Sequence, residues 1–242
     1  MKNGELTVGS KVTVGMEIEA RGALFSELAK WLPRGGEAVT VSDNDGRLFR
    51  VRITSLKEDA AVLTVFEDTG FVRRPGNITL LQALPEKERM ELIIQKTTEL
   101  GVDTIVPLKS TRSITLDERN SKQKKSHKWE AIALKAAKQS RRASIPVIAP
   151  YVSFEDALKA APSVALKLML KEGHGFKHIK EALSTDKRQD ICVLVGPEGG
   201  FTDEEQKKAE ASGFTPVTLG SNVLRTETAA IAAVTAASFK IK

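Results

Sequence analysis

The sequence predicts a two-part α/β protein: a β-rich stretch over residues 1–74, then alternating strands and helices over residues 75–242. Three observations carry this. Val39 and Val41, then Phe49, Val51 and Ile53, alternate with polar residues, the period-2 signature of half-buried strands. After Pro75-Gly76 the pattern changes to short apolar runs separated by helix-length segments, as in a βαβ series. Glycine-rich turns, Gly196-Pro197-Glu198-Gly199-Gly200 and Leu219-Gly220, then follow strand candidates late in the chain.

In the first part, Ser42-Asp43-Asn44-Asp45-Gly46 separates the two alternating runs and supplies the positive-φ residue a hairpin needs. Ala61 to Phe66 is a third strand candidate, and several short strands in so few residues suggest a small barrel. Phe71 to Asn77 reads as a linker.

In the second part, Ile78 to Leu84 reads as a strand and Glu86 to Leu100 as a helix, with Met90, Ile93, Ile94, Thr97 and Leu100 near one face. Gly101 suits the position just past its end. Thr104 to Leu108 is a short strand, and a long basic helix is expected from about Ser121 to Arg142. Val164 to Leu170 and Ile191 to Val195 are apolar runs short enough to be buried parallel strands. Thr202-Asp203-Glu204-Glu205 is a capping box that opens a helix ending at Gly213. Val217 to Leu219 and the Ala-rich segment Thr226 to Phe239 supply a last strand and helix.

A net charge of +6 and a pI near 9.3 bias the chain toward polyanions such as nucleic acid, a bias shared by many proteins without such partners. The single cysteine, Cys192, lies in an apolar run and reads as a small buried hydrophobe. No apolar run reaches the ~18–20 residues that span a bilayer, and Met1 to Leu6 lacks the core of a signal peptide. The expected setting is the cytoplasm, with no membrane partner. The chain has no G-x-x-x-x-G-K-[ST] loop and no G-x-G-x-x-G after a strand, which argues against an NTPase and an ordinary nicotinamide-dependent dehydrogenase. His174 and His178 are spaced to share a helical face near Glu172, but no third ligand accompanies them, so no metal is expected.

The turn at Gly196 has two readings. Glycines beyond the carboxyl end of a parallel strand let backbone approach a ligand; they equally make a tight turn that binds nothing.

Gly196-Pro197-Glu198-Gly199-Gly200-Phe201, followed by Leu219-Gly220 and Leu224-Arg225-Thr226-Glu227-Thr228-Ala229, resembles the RsmE-type ribosomal RNA small-subunit uridine-N3 methyltransferases of the SPOUT class. Met90 to Lys96, Glu99 to Val102 with Ile105 to Pro107, and Ala136 to Ser140 with Arg142 extend the resemblance, in order, over about residues 78–237. It implies a SPOUT-like α/β domain with a trefoil knot near its end, after a small PUA-like β-barrel that grips RNA. It also implies S-adenosylmethionine bound among the knot loops, a homodimer, and ribosomal RNA or the small subunit as partner. The chain departs from the family at Asn222, where Arg is usual, and at Arg141, where Gly is common. Glu27 to Arg34 replaces the barrel's His-Leu-x-x-Val-Leu-Arg-like signature.

On this resemblance the cofactor contacts fall to Met169, Leu170, Lys171, Gly196, Glu198, Gly199, Gly200, Leu219, Gly220, Leu224 and Thr226. Removing the proton from uracil N3 leaves negative charge on the ring, which a fixed guanidinium can stabilise. That role is assigned to Arg225, whose other reading is an ion pair with Glu227. Glu198 is the candidate proton acceptor; its other reading is a carboxylate that ties down its loop. The basic stretch from Arg119 to Arg142 is the candidate RNA-backbone contact, above all Lys122, Lys125, Lys128, Arg141 and Arg142; its other reading is a solvated helix face. Trp31, Phe49 and Phe201 are candidate base-stacking platforms, though core packing is the favoured reading of each. Two alternatives stay open: a non-catalytic RNA-binding or ribosome-assembly factor, and a SPOUT methyltransferase with a different RNA target.

Overall fold

The computed structural model describes residues 2–86, 89–123, 128–173 and 175–241, and the side chains of Lys122 and Gln123 are not described either. The chain divides into two compact units, Met1–Arg74 with Leu134–Pro146, and Pro75–Ala133 with Val147–Lys242. The sequence pattern assigns residues 134–146 to the second part. They pack instead with the first, because Ala137 and Ile145 complete the apolar cluster of Leu6, Trp31, Val41, Val51 and Leu63.

The first unit contains β1 (Leu6–Thr7), β2 (Glu17–Arg21), α1 (Gly22–Ala29), β3 (Ala38–Ser42), β4 (Arg47–Leu56) and β5 (Ala60–Val72). The β3–β4 hairpin turns where expected: Asp43 Oδ1 accepts the N–H groups of Asp45 and Arg47 at 2.9 Å, and Gly46 takes φ +79°. β5 is longer than the sequence suggests. Phe71 and Val72 are not linker but its last residues, because Val72 pairs with Arg47 and the Arg73 N–H donates to Gly46 O at 2.9 Å. The strand order is β1-β3-β4-β5-β2, so among the described residues the pairing leaves β1 and β2 as edges instead of closing a ring. The candidate platforms Trp31 and Phe49 are 2% and 3% exposed in this unit's core, so neither can stack on a base.

The second unit begins with β6 (Ile78–Ala83), α2 (Arg89–Leu100), β7 (Thr104–Leu108) and α3 (Leu116–Gln123). Met90, Ile93, Ile94 and Thr97 are the buried face of α2, as their spacing predicts, and Gly101 follows at φ +100°. Where the sequence predicts one basic helix over 121–142, the described residues form α3 and α4 (Trp129–Gln139), with residues 124–127 between them outside the described ones. α3 starts early because Thr115 and Glu118 form a reciprocal cap: Glu118 N–H donates to Thr115 Oγ1 at 3.1 Å and Thr115 N–H to Glu118 Oε2 at 2.7 Å. α4 stops before Arg141, whose φ of +56° is left-handed.

The remaining elements are β8 (Val147–Ile148), α5 (Phe154–Ala160), β9 (Leu166–Leu170), β10 (Lys177–His178), α6 (Ile179–Thr185), β11 (Ile191–Val195), α7 (Asp203–Ala211), β12 (Thr215–Thr218) and α8 (Thr226–Lys240). β8, β7, β6, β11, β9, β12 and β10 lie side by side, and each neighbouring pair is parallel. Every residue of β11 is buried. Ile191, Val193 and Val195 join one apolar cluster with α2 and α8; Cys192 and Leu194 join another with α5 and α7. A strand covered on both faces is apolar throughout, which is why it reads as an unbroken run. Burial pushes the Cys192 thiol up to about 12, consistent with an inert core residue. Among the described residues no helix is long and apolar enough to cross a membrane, and no three His, Cys, Asp or Glu side chains cluster as metal ligands. His178 ends β10 and caps α6, and His174 lies outside the described residues.

Candidate functional site

β12, β9 and β11 are adjacent, so the loops leaving their carboxyl ends emerge side by side. Together they wall a cavity of about 440 Å³, within the range of small-molecule sites. Met169, Leu170 and Lys171 come from the end of β9; Gly196, Glu198, Gly199 and Gly200 from the loop after β11; Leu219, Leu224 and Thr226 from the stretch between β12 and α8. Ten of the eleven sequence-expected cofactor residues therefore line one cavity. Gly220 does not; it turns the chain at φ +133°, with its N–H donating to Thr218 Oγ1 at 3.2 Å.

The glycine loop is tightly built. A Cβ on Gly196 would meet Gly200 Cα at 3.3 Å and Phe201 Cε2 at 3.4 Å. Gly200 closes the turn at φ +66°, its N–H donating to Pro197 O at 2.9 Å. A Cβ on Gly199 would meet the Arg112 side chain at 3.3 Å, and Arg112 Nη1 donates to Gly199 O at 2.7 Å. The capping box forms as the spacing predicts, Glu205 N–H donating to Thr202 Oγ1 at 3.2 Å and Thr202 N–H to Glu205 Oε2 at 2.9 Å. Phe201 is 7% exposed, edge-on to Phe154 at 5.5 Å, so it is core and not a stacking platform.

Arg225 and Glu198 both line the cavity. Arg225 sits at the N-cap of α8, exposed, and among the described residues its side chain has no partner. The ion pair considered for it belongs to another residue: Glu227 Oε2 lies 3.6 Å from Arg89 Nε. Glu198 Oε1 accepts the Glu86 N–H at 3.1 Å and a hydrogen bond from Arg89 Nη1, which ties the loop to the start of α2.

The RNA-contact candidates separate. Lys128 is exposed in the second unit, and Lys122 and Lys125 fall outside the described side chains. Arg141 and Arg142 belong to the first unit, where Arg141 O accepts the Thr40 hydroxyl at 3.0 Å and Arg142 Nε donates to Ser144 O at 3.1 Å. Arg119 cannot contact RNA: it is fully buried, paired with Glu91 and stacked 5.0 Å over the Trp129 ring.

Arg89, Arg112 and Asn222 line the cavity without having been singled out as ligand contacts, and Gln82 stands behind it. The arginines precede the glycine loop by more than eighty residues, and the parallel pairing of β11 with β6, and of β6 with β7, brings them near it.

Residues 72–238 match the family of RNA methyltransferase domains. The ribosomal RNA small subunit methyltransferase E of Bacillus subtilis is 31% identical over 212 residues, covering 85% of this chain and 82% of the relative. Its Aquifex aeolicus counterpart is 31% identical over 192 residues, 79% of this chain and 81% of the relative. Among solved structures, a ribosomal RNA small subunit methyltransferase E from Neisseria gonorrhoeae bound to S-adenosyl methionine superposes with a TM-score of 0.65 at 33% identity, covering 96% of this chain and 94% of that one. With more than half its length inside the family match and a like-named relative along most of it, this chain belongs to the RNA methyltransferase family that includes ribosomal RNA small subunit methyltransferase E.

Proposed function

We propose that this chain uses S-adenosylmethionine to methylate N3 of a uridine in small-subunit ribosomal RNA. The observation that carries the reading is the cavity at the ends of β9, β11 and β12, together with the family match over the same residues. The lining fits that cofactor. Leu219 and Leu224 give apolar surface for a flat ring, and close-packed glycines leave backbone rather than side chains to meet polar groups. Lys171, Glu172, Glu198 and Arg225 offer both signs of charge for the amino-acid end and the sulfonium.

When bound, S-adenosylmethionine supplies an electrophilic methyl group. The chain's share is positioning and charge stabilisation. Arg225, unpartnered and exposed to the cavity, faces its guanidinium to the uracil oxygens that gain charge as N3 loses its proton. Glu198 takes that proton on Oε2, while Oε1 stays held by Glu86 and Arg89. The cofactor would supply the methyl carbon that takes the pair left on N3, its carbon–sulfur bond breaking with the electrons retained by the sulfur. This reading also has the chain act in the cytoplasm as a homodimer, with a SPOUT-like trefoil knot around the cofactor and a PUA-like first unit gripping RNA. Lys122, Lys125, Lys128, Arg141 and Arg142 serve as phosphate contacts in it.

The test is methyl transfer from labelled S-adenosylmethionine to small subunits lacking the modification, followed by nucleoside analysis. Label in 3-methyluridine is expected. Label in another nucleoside points to a different RNA target, no label despite cofactor binding points to another methyl acceptor, and no cofactor binding either favours a non-catalytic RNA-binding role.

A further inference from the structure

Gln82 is fully buried at the end of β6, paired in register with Val195, the last residue before the glycine loop. Its side-chain nitrogen donates to Ala83 O at 2.8 Å and to Thr226 Oγ1 at 3.1 Å. Thr226 opens α8, is 5% exposed, and donates its one hydroxyl hydrogen to Gly196 O at 2.6 Å. With that hydrogen committed, Thr226 can only accept from Gln82, and Ala83 O can only accept as well. The amide is therefore fixed with its nitrogen toward both. Its oxygen then faces no donor: Gln82 Oε1 is buried, and among the described residues no group donates to it.

An unpaired buried acceptor costs stability, and an apolar side chain of the same size would not incur that cost. The polar nitrogen must therefore be retained for what it holds. What it holds is the two walls of the cavity at once, the Gly196 loop and the first turn of α8, joined through one hydroxyl.

We propose that Gln82 is a positioning residue of the cofactor site, setting the spacing between the glycine loop and the start of α8 through Thr226. The proposal rests on the reading of this cavity as the S-adenosylmethionine site.

The test is S-adenosylmethionine affinity by calorimetry, with the thermal midpoint recorded beside it. Gln82→Met keeps the volume and removes both the donor and the unpaired acceptor, so its thermal midpoint should stay within about 3 °C of the parent or rise. Its cofactor affinity should nevertheless fall by about tenfold or more. Thr226→Val should reproduce that loss and Thr226→Ser, which keeps the hydroxyl, should restore most of it. Because both residues act through one link, the double variant Gln82→Met with Thr226→Val should be no weaker than the weaker single variant.

Unchanged affinity in Gln82→Met, or losses that multiply in the double variant, overturns the proposal while leaving the cofactor reading in place. Should Gln82→Met fail to fold, parental affinity in Thr226→Val overturns it alone. A parent chain that binds no S-adenosylmethionine overturns both.

Discussion

Glu205 and Thr111 join the first turn of α7 to the segment after β7, 94 residues apart in sequence: Glu205 Oε1 accepts the Thr111 N–H at 2.7 Å and its hydroxyl at 3.1 Å. The other carboxylate oxygen closes the α7 capping box, so one 6%-exposed side chain serves both. Glu205→Ala removes a cap and leaves the Thr111 and Thr202 N–H groups without their carboxylate acceptor. It should destabilise the protein by about 2–4 kcal/mol, read by urea unfolding. Glu205→Gln keeps the shape but not the charge and should cost less. Equal losses in both variants would mean the contribution depends wholly on the charge; a Glu205→Gln variant as stable as the parent would mean the charge contributes nothing.

Arg225 is exposed and unpartnered among the described residues, so its removal should leave folding alone. Arg225→Ala should lower turnover on ribosomal RNA by about 10²–10³-fold if it stabilises charge on the base. Arg225→Lys should recover only part, because one ammonium cannot reproduce a planar fork. Normal turnover in the alanine variant removes Arg225 from the mechanism.

At Gly200 the backbone φ is +66° and a Cβ would meet no atom within 4 Å. Substitution there is limited by backbone conformation and not by space. Gly200→Asn should be tolerated better than Gly200→Val, since Asn enters the left-handed region more readily than a β-branched residue. The valine variant should lose about 1–2 kcal/mol of stability. Thermal unfolding of the two variants side by side checks the order, and the reverse order rejects the argument.

Hydrogen bonds from Arg188 hold the Asp186 carboxyl down at about 2, against 3.8 ordinarily, although partial burial acts in the opposite direction. A carboxylate whose folded value lies below its unfolded one stabilises the fold fully above the unfolded value. That stabilisation fades as pH drops through the folded value. The stability gap between the parent and Asp186→Asn should therefore be level above about pH 5 and narrow between about pH 4 and pH 2. Denaturant titrations across that range measure it; a gap that ignores pH excludes the ion pair as its source.

The parts legible in the sequence were those set by local pattern. β11 appears as an unbroken apolar run, α2 shows its buried face at Met90, Ile93, Ile94 and Thr97, and Thr202 with Glu205 announces α7. The start of α3 was equally legible in Thr115 and Glu118, but the density of basic residues farther on suggested one long helix instead. Charge composition misplaced Arg119 as well, since an arginine that stacks on Trp129 and pairs with Glu91 has the same letter as one facing solvent. At the site, the glycine turns named their own loops. Arg89, Arg112 and Gln82 could not be found that way, because their roles exist only once distant strands pair.

The position of β11 has a consequence for biosynthesis. It sits between β6 and β9, yet it is made after both, 107 residues beyond the end of β6 by the count from Ala83 to Asp190. Until it emerges, β6 and β9 each present a bare row of backbone donors and acceptors, open to pairing with any other chain. Parallel pairing across such a span closes slowly, so these edges are exposed to other chains until Ile191 to Val195 slot into place.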